Sequence, residues 1–253
     1  MLPAKFYFGL KRWDFKRSHK ADFESAQNKR LLTTAEGYSF AQFDRTKSIF
    51  VHIPKCAGIS VSKALFGNLA GGHATLNQYT RIFEQKYIFE YFKFTIVRNP
   101  WDRLVSAYFF LRSGGFGESD RNWAENEIMD FSSFDDFVKH WVNRKNIWKW
   151  YHFRPQYHYM LEKFGKANLD FVAFLENIDE DFSYIAKRIG VNCVLNVSNS
   201  SKHTSYVDYY NEESASIVAE VYAEDIKMLG YNFDNSNLAK QIKHRSKGEI
   251  YSL

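Results

Sequence analysis

Cysteine is nearly absent: Cys56 and Cys193 are the two in 253 residues, and no Cys-x-x-Cys pair occurs. That excludes a disulfide framework and a zinc knuckle, and it fits a reducing compartment. No window approaches the roughly 18 consecutive apolar residues of a membrane span. The longest apolar stretch, Tyr87 to Val97, is interrupted by Glu90 and Lys93. Residues 1–20 carry basic side chains throughout without a continuous apolar core, so no secretory signal is read there and the expected location is cytoplasmic. No repeat or low-complexity tract is present. The Gly-x-x-x-x-Gly-Lys-Ser/Thr loop of nucleoside triphosphatases is also missing.

What remains is the composition of a soluble globular chain near the upper size of one hydrophobic core, so a single α/β domain over residues 1–253 is expected. Twenty-four Phe and 16 Tyr imply that core and cleft walls are built largely from rings. A net charge of +5 makes the surface mildly attractive to anions. It is too small to choose among a nucleotide, an acidic glycan, nucleic acid and a membrane face.

Two segments read as strands buried on both faces, Ser48 to Ile53 and Phe92 to Val97. Each runs towards a proline, Pro54 or Pro100, and each feeds a helical pattern, Val61 to Phe66 and Trp101 to Arg112. Strand, tight loop, helix and strand again is the signature of a central parallel sheet flanked by helices. A third strand is expected over Leu169 to Phe174, followed by a helix with Phe182, Ile185, Ala186 and Ile189 on one face and Gly190 at its end. Ser133 is placed to cap another helix, and a long last helix is expected from Glu212 to Leu229, between Asn211 and Gly230. Ser113 to Ser119 has the composition of a mobile loop.

The chemistry concentrates in two motifs. Ile53-Pro54-Lys55-Cys56-Ala57-Gly58-Ile59-Ser60 is a strand end, a loop of small residues with one lysine, and a helix start. Small residues let backbone N–H groups approach a phosphate oxygen, and the helix N-terminus adds partial positive charge at the same spot. Taken alone, an ordinary strand-to-helix turn explains the segment as well. The second motif runs from Val97 to Tyr108: Arg98 stands at a strand's carboxyl end, where its planar fork suits a phosphate, and Ser106 follows two helical turns later. Asp102 and Arg103 read as a solvated pair.

Together the motifs resemble those of the carbohydrate sulfotransferases, in the branch that contains heparan 2-O- and chondroitin-type enzymes and their bacterial relatives. Family segments of the form Ile-Pro-Lys-x-Ala-Gly-Thr-Ser and Arg-Asn-Pro-x-Asp-Arg-Leu-Val-Ser-x-Tyr bind the donor 3′-phosphoadenosine 5′-phosphosulfate. The resemblance implies a P-loop-like sulfotransferase fold and a 5′-phosphosulfate site made by Lys55, Cys56, Ala57, Gly58, Ile59 and Ser60. It also implies that Arg98 and Ser106 hold the 3′-phosphate. Ile59 stands where the family usually has Thr, which removes one hydroxyl. The similarity covers roughly residues 48–233, including Lys202-His203, and leaves residues 1–45 as an N-terminal extension.

Attack on sulfur needs a hydroxyl made nucleophilic, and histidine suits that role. His73, after Gly71-Gly72, matches the family's catalytic Gly-His position, which implies the general base. Tyr151 to His158 mixes rings, a cation and an amide, so Arg154 and Gln156 are candidates for gripping a sugar acceptor. His152 and His158 do not share a helical face, and no metal site is expected. The expected reaction is in-line transfer to a carbohydrate-like hydroxyl, with no nucleic-acid partner. Three alternatives stand beside it: a nucleotide kinase or triphosphatase, an inactive nucleotide- or glycan-binding relative, and a single-strand nucleic-acid binder using the rings and cations of Lys145 to Arg154.

Overall fold

The computed structural model describes residues 4–32, 34, 37–162, 167–195 and 205–245; Lys202 and His203 lie outside them. Three short helices, α1 (Ala4–Ser18), α2 (Lys20–Leu31) and α3 (Ala41–Thr46), precede strand β1 (Ser48–Val51). Helices α4 (Gly58–Phe66), α5 (Leu76–Ile82) and α6 (Gln85–Glu90) lead to β2 (Phe92–Val97). After it come α7 (Pro100–Arg112), α8 (Glu118–Glu127), α9 (Phe134–Trp141) and α10 (Gln156–Met160), then β3 (Phe171–Phe174). Helices α11 (Ile178–Arg188), α12 (Glu212–Val221), α13 (Ala223–Leu229) and α14 (Leu238–Arg245) complete the chain.

The strands form one parallel sheet in the order β1-β2-β3, with Val51 opposite Thr95 and Val97 opposite Phe174. The fold is a single α/β domain, a parallel sheet flanked by helices. Parallel strands need crossovers long enough to return the chain, and those crossovers cover both sheet faces. Every β1 and β2 side chain is accordingly buried. Even Lys93 lies inside the sheet, its ammonium satisfied by the Tyr91 carbonyl at 2.9 Å and by Asp170 at 2.7 Å.

Two apolar bodies result. One surrounds the sheet through Phe50, Phe94, Ile96 and Val172; the other is an aromatic cluster of α7, α9 and α12 built on Trp101, Tyr108, Phe137, Trp141 and Phe153. The helix starts follow their cap residues. The Ser133 hydroxyl accepts from Asp136 N, and Asn211 makes a capping box with Ser214. Gly230, at φ 74°, stops α13.

Three expectations are revised. The last helix is not continuous: it breaks at Tyr222, whose buried ring sends its hydroxyl to the Phe153 carbonyl at 2.7 Å, so α13 sets off anew with Asp225 facing α10. The Ser113 to Ser119 segment is not loop throughout, because Glu118 and Ser119 open α8, where buried Asp120 accepts from Phe116 N at 2.9 Å. Residues 1–45, for which no elements were anticipated, hold α1, α2 and all but the last residue of α3.

Asn99 joins the sheet edge to the C-terminal segment. Its carbonyl oxygen caps α7 at Trp101 N, while its amide donates to the Asn232 carbonyl at 2.9 Å and to Asn235 at 2.7 Å. Asn99→Ala is therefore expected to lower stability by about 2–3 kcal/mol, the sum of a lost cap and buried acceptors left unpaired. Urea denaturation checks this, and a loss within about 0.5 kcal/mol, as for an ordinary surface substitution, contradicts the tether.

Candidate anion-binding site

All three strands end on one edge of the sheet, and the chemical residues gather there. Between β1 and α4 the chain turns through Lys55 at φ 68° and Ala57 at φ 56°, both in the left-handed region that non-glycine residues avoid. This geometry turns successive backbone N–H groups towards one point, an anion-binding concavity. Ala57 stands at the N-cap of α4 and offers no side chain to the helix's first N–H groups. They are left for a ligand or water. The close approach needs Gly58, because a Cβ there would lie 1.8 Å from the His52 imidazole beneath it.

Arg98 holds the strained loop. Its Nη1 donates to the Lys55 carbonyl at 3.1 Å, and its Nε and Nη2 form a bidentate pair with Asp102, each at 2.7 Å. Arginine has five N–H groups, so two remain for an anion. Gln156 clamps the Arg98 backbone from both sides, accepting from Arg98 N at 2.9 Å and donating to the Arg98 carbonyl at 2.8 Å. In turn, buried Asp225 accepts from Gln156 N and Tyr157 N. Burial raises the Asp225 carboxyl to about 6, against the pull of those two N–H donors.

The Lys55 ammonium sits 3.7 Å from the centroid of the Phe110 ring, and among the described residues no carboxylate forms an ion pair with it. Burial, aided by the neighbouring Arg98 cation, lowers it to about 8. Arg103 is not the solvated partner of Asp102 that its position suggested. It is buried, with Nε on the Pro54 carbonyl at 3.0 Å and Nη2 on the His152 carbonyl at 3.1 Å. Two cations that form no carboxylate ion pair among the described residues thus flank the loop, and a buried charge is costly until an opposite charge arrives.

Histidines line the same place. His73 lies in the loop before α5, and its Nδ1 is 3.2 Å from the His52 carbonyl. A carbonyl only accepts, so Nδ1 carries the proton and Nε2 presents a lone pair. Burial lowers His73 to about 4, partly opposed by that hydrogen bond. Its ring centroid is 4.3 Å from that of His52, 5.2 Å from that of Tyr151 and 6.1 Å from that of His152. Behind them Asp120 Oδ1 accepts from Trp150 Nε1 and the Tyr151 hydroxyl, both at 3.0 Å, and stands 3.6 Å from His152 Nδ1.

The structure thus brings Lys55, the loop to Ser60, Arg98 and His73 to one edge. Ser106 is on α7 one turn beyond Asp102, nine-tenths buried. Cys56 is fully enclosed between the Pro54 carbonyl and Gln156, and burial pushes its thiol up to about 12, away from thiolate chemistry. Gln156 spends its amide on the Arg98 backbone with none of its surface exposed, which leaves it nothing to offer a sugar. Arg154 is half-buried, with its Nε 3.4 Å from the Trp148 carbonyl.

In the run Lys145 to Arg154, Ile147, His152 and Phe153 are buried and Trp150 stacks on Trp123 at 5.2 Å, while Lys145, Trp148 and Lys149 are exposed. Sequence reasoning overlooked His52, Asp120, Glu176 and Asp225. His52 alone carried a signal, as a polar residue closing an otherwise apolar strand.

A parallel sheet whose edge carries a cationic loop entering α4 defines the class: a single-domain α/β protein. The model of the sulfotransferase family matches residues 38–232, and the chain belongs to that family. Over 103 residues it is also 32% identical to an uncharacterised protein of Archaeoglobus fulgidus, a match covering 40% of this chain and 69% of that one. No solved structure matches the chain.

The three histidines make stability depend on pH. Burial holds His52 and His152 well below their ordinary value, as it does His73. The unfolded chain titrates its histidines near pH 6.5, so it takes up protons that the native site refuses. This contribution is complete above about pH 6.5 and is lost as pH falls towards 4. Asp225, raised to about 6, acts in the opposite sense. Urea midpoints at about pH 7.5 and 5 should therefore fall further apart in the wild type than in His152→Gln, with Asp225 common to both. Equal shifts contradict the neutral burial of His152.

Proposed function

We propose that the chain transfers a sulfuryl group from 3′-phosphoadenosine 5′-phosphosulfate to a hydroxyl of a carbohydrate-like acceptor. Family membership supports sulfuryl transfer. The single observation behind the donor assignment is the Lys55 ammonium, mostly buried and without a carboxylate partner, beside a loop whose left-handed residues and uncapped helix start offer N–H groups. This donor set fits the mixed phosphate–sulfate anhydride of a nucleotide. Lys55 and the backbone from Ala57 to Ser60 would hold the 5′ end. Arg98 through its two remaining N–H groups, with Ser106, would hold the 3′-phosphate.

The donor supplies the sulfuryl group and a phosphate leaving group. Lys55 and the α4 amides stabilise negative charge at the loop without reorganising, because the Arg98 bond already fixes the backbone. His73 accepts the acceptor's proton on Nε2, the nitrogen its bond to the His52 carbonyl leaves free. Neutral across the physiological range, it needs no prior deprotonation. The rings of Tyr151 and His52 hold its imidazole in place.

A transfer screen with radiolabelled donor across glycans and simple alcohols tests the reading; no transfer to any acceptor, together with magnesium-dependent ATP turnover, contradicts it. With an acceptor in hand, Lys55→Ala should lower turnover by about 10²–10³, the usual effect of removing one preorganised charge stabiliser. Binding of adenosine 3′,5′-bisphosphate should weaken less. Near wild-type turnover would remove Lys55 from the chemistry.

His73→Ala should lower turnover by about 10²–10⁴ with little change in nucleotide affinity. Because His73 lies near 4, the acid limb of wild-type kcat/KM is expected near pH 4 instead of near neutrality. That limb should vanish in the variant. A His73→Ala enzyme that keeps the limb and more than about a tenth of the rate would shift the base to another group such as His152.

A further inference from the structure

The net charge is distributed unevenly. Residues 1–31 hold eight Lys and Arg against three Asp and Glu, whereas the other 222 residues hold 26 of each sign. The whole excess of +5 thus belongs to the α1–α2 segment.

Part of this charge is consumed inside the fold. Arg12 and Arg30 both pair with Glu84, Arg30 also takes Asp44, and Lys11 donates to Asn77 on α5. These bonds, with buried Phe8, fix which face of α1 looks inward. The opposite face carries Leu10, Trp13, Lys16 and Arg17, and it continues to Lys20 at the start of α2; all five are exposed. Leu10 is 45% exposed and Trp13 56%, and the Arg17 guanidinium lies over the Trp13 ring at 5.3 Å. Of the three outward cations, Lys20 has Glu24 at 3.8 Å, and among the described residues no carboxylate forms an ion pair with Lys16 or Arg17.

We propose that this outward face of α1 docks on the surface of an anionic lipid bilayer. Lys16, Arg17 and Lys20 complement acidic headgroups, each worth roughly 1 kcal/mol, or about fivefold, near such a surface. Trp13 and Leu10 lie among them, where an indole and an aliphatic chain reach the boundary between headgroups and acyl chains. A nucleic acid or acidic polysaccharide would satisfy the cations, but it would leave Leu10 in water. The bilayer buries both kinds of side chain at once.

Sedimentation of the full chain with vesicles tests the proposal. Binding is expected to vesicles containing phosphatidylglycerol and not to phosphatidylcholine alone, and to weaken with added salt. Combining Lys16→Glu, Arg17→Glu and Lys20→Glu should reduce it at least about a hundredfold. Leu10→Ser with Trp13→Ser should reduce it roughly tenfold. An oligonucleotide-binding assay serves as the control for plain polyanion attraction. The changes are on exposed positions, and an unaltered thermal melt verifies folding. Should a variant fail to fold, the comparison of the two vesicle types and the salt dependence of the unaltered chain still decide. No binding to acidic vesicles, equal binding to both types, or an apolar double variant that sediments like the wild type overturns the proposal. So does binding to the oligonucleotide but not to vesicles.

Discussion

The site depends on one hydrogen bond, from the Arg98 guanidinium to the Lys55 carbonyl. Lys55 occupies a left-handed conformation that costs about 1–3 kcal/mol for a residue with a side chain, so something must hold it there. Arg98 does so because it is itself immobile. Asp102 fixes the guanidinium, Gln156 fixes the backbone, and Asp225 fixes Gln156. Glu176, just past β3, accepts from Asn99 N at 2.6 Å and from the Tyr231 hydroxyl at 3.0 Å. Groups from β1, β2 and β3 are thereby tied at one edge. The loop is thereby fixed by hydrogen bonds, the preorganisation that the proposed stabilisation of a transition state requires.

The same arrangement explains the electrostatics. Among the described residues the fold buries Lys55 and Arg103 without a carboxylate ion pair, beside three histidines that burial keeps neutral. An apolar core would be more stable, and such a cluster persists where function offsets its cost. The residue types differ in their surroundings: the arginines hold backbone carbonyls, while the lysine lies against a ring and the imidazoles are neutral.

Much of the fold was legible because its signals are local. A two-sided apolar run ending at a proline is a buried parallel strand, and Ser133, Asn211 and Gly230 marked helix ends as isolated cap chemistry predicts. The N-terminal helices escaped notice because their apolar residues do not form a clear stripe; α1 instead uses cations on both its inner and outer faces. In the site, the loop and Arg98 were visible through their motifs. The supporting carboxylates were not, since Asp120 meets Tyr151 from 31 residues away and Asp225 meets Gln156 from 69. Gln156 looked like a cleft residue for the same reason: its partners are distant in sequence, and only the folded chain shows its amide already spent.

The central claim is that the edge held by Lys55 and Arg98 is a site for a nucleotide bearing both 5′ and 3′ anionic groups. Calorimetric titration with adenosine 3′,5′-bisphosphate and adenosine 5′-phosphate, on the wild type and on Arg98→Ala, tests it most directly. The account predicts that the wild type prefers the bisphosphate by roughly 10–100-fold, the equivalent of one charged hydrogen-bond set, and that Arg98→Ala loses most of that preference. Equal affinity of the wild type for the two nucleotides, or a preference that survives in Arg98→Ala, would contradict it.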